Sequence, residues 1–450
     1  MVYFYKSFLA RRKDLLYNFL IMRKEILKEI ITDFQERPLP DIKSRVLKIP
    51  INTEKIVTIV GVRRSGKTYH LYKLIDQLCK KGVSIENIIY INFEDERINP
   101  SDFSLDIIIQ SCREMHPNKN VADFYFFFDE IQVIPNWEKF VRRVYDTITR
   151  NIFISGSNSK LLSREIATAL RGRTITYEVF PLSFREYLSF FDISINLGSS
   201  KTRAKVISYF ENFLVNGGFP EIYNNDKDVR NLILQEYFNV MLFKDIVERY
   251  GVSQPAILKY FCKRALGNSA KEFSVHKIYN EIKSQGYKIS KDTLYEFQDY
   301  IESIYLVLFL KKFEYSTVKS EFAQKKAYSI DNGLAGAVNS KFSQDKGRQL
   351  ENLMFLEFTK SGKEVFYYKN GYECNFIIKG VDNIIEAVQV CVDISDKNVF
   401  DRKVNGLVAT CKKLNLTQGY IVSLEDEDKI NVEGIAIEII PAYKYLLKKI

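Results

Sequence analysis

The chain has 450 residues, a formal net charge of +10, and 46% hydrophobic against 27% charged side chains, a balance that excludes disordered and fibrous classes and predicts two to four globular domains. Its six cysteines are scattered without a C-x-x-C pair and only three histidines occur, which argues against a disulfide framework or a zinc site. No apolar run reaches the roughly 18 residues of a membrane helix and the N-terminus has no signal-peptide pattern, so a soluble, cytoplasmic protein with no membrane partner is expected.

Residues 1–50 read as a basic helical arm. Leu15, Leu16, Phe19, Leu20, Ile26 and Ile30 recur at helical spacing, and Pro38 and Pro40 end the pattern. Eleven basic and six acidic residues make this segment +5. It is either a solvated face or a partner-binding arm. Over 51–181, short apolar strands (55–60, 88–93, 124–128, 151–154) alternate with helical segments such as 69–80. Continuous apolar strands separated by helices predict an α/β fold with a parallel sheet covered on both faces.

Residues 182–254 are mainly helical, with a turn at Gly217-Gly218-Phe219-Pro220. Over 255–325, Ser274 is placed to cap a helix running to Ile282, Gly286 ends a turn, and Ser290 opens a second helix before the apolar strand Val307–Leu310. Helix, turn, helix and strands suit a winged-helix module. Residues 255–330 hold thirteen basic and eight acidic residues, again +5. If DNA is the partner, Lys291 and Thr293 face its major groove; the alternative is a module used only for packing. Residues 326–450 return to mixed strands and helices.

The segment Gly61-Val62-Arg63-Arg64-Ser65-Gly66-Lys67-Thr68 matches G-x-x-x-x-G-K-[ST], after a strand and before a helix. The glycines let backbone N–H groups wrap phosphates, Lys67 reaches the β- and γ-phosphates, and the Thr68 hydroxyl meets Mg²⁺. With Tyr69, which follows, these residues form the expected ATP-binding set. The apolar run Phe124–Phe128 ends in Asp129 and Glu130. Asp129 is expected beside the phosphate loop as a Mg²⁺ holder, and Glu130 as the residue polarising the attacking water. Further on, Ser157 or Asn158 is placed to meet the γ-phosphate, and Arg171 and Arg173 flank Gly172 as either surface charge or a trans-acting arginine contact.

These motifs resemble AAA+-type ATPases of an archaeal and bacterial group whose C-terminal part is a domain of unknown function related to PD-(D/E)XK nucleases. The resemblance is carried in order by GVRRSGKT (61–68), FFFDEIQ (126–132), SGSNSKLLS (155–163), LRGR (170–173), PLSFREYL (181–188), GGFPE (217–221), KDIVERY (244–250), GRQLEN (347–352) and VQVCVDIS (388–395). It implies a P-loop core over 51–181, a helical lid over 182–254, a winged helix over 255–325 and an α/β restriction-endonuclease-like domain over 326–450. It also implies Lys67, Thr68, Asp129 and Glu130 in ATPase roles, Asn158 as sensor, and Arg171, Arg173 and Arg249 as nucleotide-sensing candidates. In the nuclease-like site Glu351 matches the helix acid, but Asn375, Gln389 and Cys391 stand where an acid, an acid and a lysine belong. No cleavage is expected there, unless Glu373 or Glu386 supplies a missing carboxylate. The combined expectation is a Mg²⁺-dependent ATPase coupled to DNA binding or remodelling, with a homo-oligomer as one candidate working form. The alternatives are a nucleotide-gated switch on a protein partner and an ATP-regulated nuclease.

Overall fold

The computed structural model describes residues 21–101, 103–157, 170–380 and 383–449. The chain divides into two compact units: one contains the residues up to Gly61 and Gly66–Val179, the other Val62–Ser65 and the residues from Phe180 onward.

The first unit is built on five strands, β1 (Ile56–Val60), β2 (Ile88–Asn92), β3 (Tyr125–Asp129), β4 (Ile152–Gly156) and β5 (Thr174–Glu178), in the order β2-β3-β4-β1-β5. All the pairings are parallel. β1 and β4 are buried along their whole length, which is why they read as mainly apolar runs. Phe127 and Phe153 stack across β3 and β4 with ring centroids 4.6 Å apart. β5, half exposed and threonine-rich, carries no such signal.

The described part of the arm is not a solvated helix. A helix over 21–36 buries Leu27, Ile30, Ile31 and Phe34. Lys24 and Lys28 pair with Glu114 at 2.7 and 3.0 Å, so part of the basic excess is neutralised within the unit. Leu15, Leu16, Phe19 and Leu20 lie outside the described residues.

The second unit begins with helices Phe184–Phe190, Ser200–Asn216 and Lys227–Leu242, the last running into a π-helical turn, Phe243–Glu248. Helices Pro255–Gly267, Val275–Ser284 and Lys291–Ser303 follow, with β6 (Lys271–Glu272), β7 (Val307–Leu310) and β8 (Lys326–Ser329) forming an antiparallel sheet in the order β6-β8-β7. Ser274 and Ser290 cap their helices as the sequence predicts. The C-terminal part is helix Lys346–Lys360, strands β9 (Glu364–Asn370), β10 (Tyr372–Lys379) and β11 (Ile384–Val390), helix Lys397–Lys413, and strands β12 (Gln418–Ser423), β13 (Asp428–Val432) and β14 (Ile435–Pro441). Its mixed sheet has the order β13-β14-β12-β11-β10-β9. One apolar core joins Phe184 and Phe210 of the first helices to Phe358, Phe376 and Tyr445 of this part. Among the described residues no helix is long and apolar enough to cross a membrane.

Asp331 caps helix Asn332–Val338 from inside this unit. Its carboxylate accepts the Leu334 N–H at 2.9 Å and the Gly218 N–H at 2.6 Å. Burial nevertheless raises its pKa from 3.8 to about 6, against the pull of those N–H donors. The folded state therefore holds a proton that the unfolded state releases near pH 4. The associated stability is complete below the unfolded value and is lost as pH rises through about 6. A tenfold change in proton affinity is worth about 1.36 kcal/mol, so about 3 kcal/mol is at stake. Asp331→Asn removes the titration, so wild-type stability relative to the variant is expected to fall by about 2–3 kcal/mol between pH 4 and pH 7.5. Urea unfolding at the two pH values measures this, and a pH-independent difference contradicts it.

Candidate nucleotide site

The phosphate loop fills the interval between the end of β1 and helix Lys67–Lys80. A Cβ at Gly61 would lie 2.0 Å from the Val179 carbonyl oxygen, and Gly66 has φ of 99°, so both positions require glycine. Lys67 is buried, with its ammonium 3.2 Å from Glu130 Oε1. The Thr68 hydroxyl donates to Asp129 Oδ2 at 2.8 Å. The fold thus brings together the four residues that the sequence assigns to phosphate, metal and water.

Asp129 ends β3 and is fully buried. Besides Thr68, Tyr90 donates to Oδ2 at 2.8 Å and the Ser155 hydroxyl donates to Oδ1. Burial and the adjacent Glu130 push its pKa up, and the three hydroxyls pull the other way. Glu130 adopts left-handed backbone angles, φ 53° and ψ 40°. Its Oε2 accepts Gln132 Nε2 at 2.6 Å and the Ser157 N–H at 3.2 Å, which orient the carboxylate. Asp129 and Thr68 offer hard oxygen donors without thiol or imidazole. That donor set fits Mg²⁺, which takes few protein ligands and keeps phosphate oxygens and waters. No cluster of three or more His, Cys, Asp or Glu capable of holding a metal occurs among the described residues.

Val62, Arg63, Arg64 and Ser65 group with the second unit. There Arg63 forms a two-pronged ion pair with buried Asp245, Nε to Oδ2 at 3.1 Å and Nη2 to Oδ1 at 2.9 Å. Arg64 lies 3.3 Å from Glu221 and 5.6 Å over the Tyr237 ring. Glu221 belongs to GGFPE and Asp245 to KDIVERY, so these two motifs supply anions to the loop arginines. Arg249 is half-buried directly after the π-helical turn, and Tyr69 is half-exposed.

Of the two arginines around Gly172, Arg173 is held by Asp146 at 2.8 and 3.2 Å and lies over Tyr145. Arg171 sits exposed at the turn's tip with φ of 48°. Asn158 lies outside the described residues.

Two further sets of candidate residues lie in the second unit. Lys291 Nζ rests 5.3 Å over the Tyr279 ring, and the Thr293 hydroxyl is 2.8 Å from the Ser290 hydroxyl in the helix cap. Helix Lys291–Ser303 carries one lysine against Asp292, Glu296, Asp299 and Glu302. It does not present the basic face that groove insertion demands. In the C-terminal part, Glu351 and Glu373 converge on Lys326 of β8, at 3.0 and 2.6 Å, and Tyr328 donates to Glu351 at 2.9 Å. Burial disfavours the Lys326 ammonium, but the two carboxylates more than reverse this and raise its pKa. Gln389 Oε1 accepts the Asn375 N–H at 3.2 Å, and Lys403 donates to Asn375 Oδ1 at 2.9 Å. Cys391 Sγ contacts the Asp393 carbonyl, and Glu386 accepts Tyr445 OH at 2.6 Å. Glu373, not Glu386, therefore joins Glu351, and their shared partner is a lysine.

Sequence reasoning overlooked Tyr90, Ser155, Gln132, Asp245 and Lys326. Tyr90 and Ser155 were within reach of it. Each is a hydroxyl inside an otherwise apolar parallel strand, and a buried hydroxyl needs a partner. The other three have no local signature.

A phosphate loop between a buried parallel strand and a helix, with an acidic strand end beside it, gives the first unit a P-loop nucleotide-binding fold. A family model described as "AAA domain" matches residues 53–188, and "Domain of unknown function (DUF8612)" matches residues 207–345. An uncharacterized protein of Methanocaldococcus jannaschii is 36% identical over 443 residues, covering 95% of this chain and 96% of that protein. An uncharacterized protein of Haemophilus influenzae is 30% identical over 402 residues, covering 88% and 95%. The chain belongs to one family with these two proteins, and within it carries the AAA domain. Looser likeness extends to solved structures. The Orc1 protein of Aeropyrum pernix in complex with DNA is 10% identical and aligns over 72% of this chain and 92% of that one, with a TM-score of 0.32. AMPPCP-bound DnaA from Aquifex aeolicus is 12% identical over 61% and 86%, with a TM-score of 0.22. Scores this low carry no argument about function.

Proposed function

We propose that the protein is a Mg²⁺-dependent ATPase whose turnover is coupled to a polyanionic partner, DNA. The observation that supports the ATPase reading best is the meeting of Lys67, Thr68, Asp129 and Glu130 at one end of the parallel sheet. Phosphate oxygens compete with Glu130 for the Lys67 ammonium. Glu130, held from its other oxygen by Gln132 and the Ser157 N–H, is then available to polarise a water against the γ-phosphate. Thr68 and Asp129 are the residues to hold Mg²⁺, which neutralises charge on the β- and γ-phosphates when bound. Arg171, exposed where Arg173 is paired, is the better suited of the two to reach a nucleotide on a neighbouring copy.

We read the second unit as a helical lid over 182–254, a winged helix over 255–325 and a nuclease-like domain over 326–450. The order helix, strand, helix, helix, strand supports the second of these, with β8, just past its bound, completing the antiparallel sheet with β6 and β7. A helix, a three-stranded antiparallel meander, a helix and a parallel strand support the third. Lys326 between Glu351 and Glu373 disfavours cleavage, since an ammonium takes the place of a cation there.

Exposed basic side chains lie on helix Val275–Ser284 and the turn after it, at Lys277, Lys283 and Lys288. DNA contact is assigned to this segment in preference to the acidic helix that follows. Three phosphate contacts predict roughly a 40-fold loss of duplex affinity between 50 and 200 mM salt. Anisotropy of a labelled duplex measures this, and charge reversal at the three lysines should abolish it. No binding at low salt favours the second reading, a nucleotide-gated switch on a protein partner, to which the acidic face of helix Lys291–Ser303 is better matched.

A further inference from the structure

A continuous line of hydrogen bonds runs from the N-terminal arm to the carboxylate assigned to the metal. Arg37, exposed just past the arm helix, donates through Nη2 to Tyr72 OH at 3.0 Å. Tyr72 OH donates to Tyr90 OH at 3.4 Å, and Tyr90 OH donates to Asp129 Oδ2 at 2.8 Å. The same Oδ2 accepts Thr68 Oγ1. Every member lies in the first unit.

The rings are held as firmly as the hydroxyls. Phe34 of the arm helix stacks on Tyr90 at 4.4 Å and on Tyr72 at 6.1 Å. Tyr72 and Tyr90 meet at 5.4 Å, and the Arg37 guanidinium lies 5.1 Å over Phe34 and 5.8 Å over Tyr72. Tyr90 is 4% exposed, so its hydroxyl cannot substitute water for Asp129. Its angle toward Asp129 is set by what packs on its ring, and there Phe34 of the arm and Tyr72 of helix Lys67–Lys80 are the aromatic neighbours.

We infer that Tyr90 is the positioning residue for Asp129, and that the arm, through Phe34, Arg37 and Tyr72, governs how well Asp129 is presented to Mg²⁺. Thr68 has a second use: its hydroxyl is needed at the ion. When it turns away from Asp129, Tyr90 and Ser155 are the donors that keep the carboxylate in its rotamer. Partners of a metal ligand that fix its orientation typically matter by 10–100-fold in metal affinity. The arm is thereby a handle on nucleotide chemistry: whatever shifts Arg37 or Phe34 alters the metal site without touching the phosphate loop. This inference rests on the assignment of Asp129 to Mg²⁺ made above.

The test uses the full chain and a fluorescent ATP analogue, and reads binding rather than turnover. Affinity is measured in Mg²⁺ and in EDTA, and the ratio of the two reports the metal's contribution. Tyr90→Phe keeps the ring and removes the hydroxyl. It is expected to lower the ratio by about tenfold with EDTA affinity unchanged. Tyr72→Phe and Arg37→Ala are expected to lower it by a few-fold, and to add nothing in the Tyr90→Phe background, because the line is already cut. Asp129→Asn serves as the reference. A ratio that collapses in Asp129→Asn and stands unchanged in Tyr90→Phe overturns the inference while leaving the ATPase reading intact. A ratio unmoved even in Asp129→Asn overturns the metal assignment, and the inference with it. A loss in Tyr90→Phe alone, with Tyr72→Phe and Arg37→Ala like wild type, overturns the role of the arm.

Discussion

Glu130→Gln is expected to bind ATP as the parent chain does and to hydrolyse it about 10²–10⁴ times more slowly, the usual worth of a positioned general base. Glutamine keeps the shape and can still accept the Gln132 amide or the Ser157 N–H, the two donors that orient Glu130. It loses the charge that draws a proton from water. It also loses the ion pair with Lys67, so position 130 no longer competes with phosphate for that ammonium, and affinity should hold or rise. Lys67→Ala has the opposite signature. The only side-chain cation of the motif's Lys-Thr pair is gone, and binding itself should fail. Phosphate release and binding of a fluorescent ATP analogue, measured on both variants, separate the two roles. Glu130→Gln with wild-type turnover contradicts its assignment.

Lys326→Met is expected to cost about 3 kcal/mol of stability. The ammonium is buried between Glu351 and Glu373 at 3.0 and 2.6 Å, and truncating one partner of a buried pair leaves the other charge uncompensated, at about 3–5 kcal/mol. The lower end applies because the Glu373 side chain is 42% exposed and can turn into water, whereas that of Glu351 is 13% exposed and cannot. Adding Glu351→Gln to Lys326→Met removes the stranded charge and should recover much of the loss. Urea midpoints of the single and double variants provide the measurement. A loss under about 1 kcal/mol would contradict a buried role for this cluster.

The phosphate loop and the strands around it are legible because their physics is local. Gly61 and Gly66 are spaced for a backbone cradle, and β1, β3 and β4 are largely apolar because they are covered on both faces. What was misjudged is where charge and packing are decided by residues far apart in sequence. The arm reads as basic and solvated, yet Leu27, Ile30, Ile31 and Phe34 are buried and Lys24 and Lys28 find Glu114. A net +5 over 255–330 conceals a helix, Lys291–Ser303, with four acids and one lysine. That Asn375, Gln389 and Cys391 leave the C-terminal part short of a metal-binding acid set is legible in the sequence, but nothing near position 326 announces that Lys326 sits between Glu351 and Glu373. Tyr90 stands between these cases: its hydroxyl was a visible anomaly in an apolar strand, though its partner was not.

The central claim is that Lys67, Thr68, Asp129 and Glu130 form a site that hydrolyses ATP. Steady-state phosphate release from ATP by the purified full chain, in Mg²⁺ and in EDTA and alongside Glu130→Gln, tests it most directly. Turnover that requires Mg²⁺ and falls by about 10²-fold or more in the variant is the predicted result. Turnover that is indifferent to Mg²⁺, or equal in wild type and Glu130→Gln, contradicts the account.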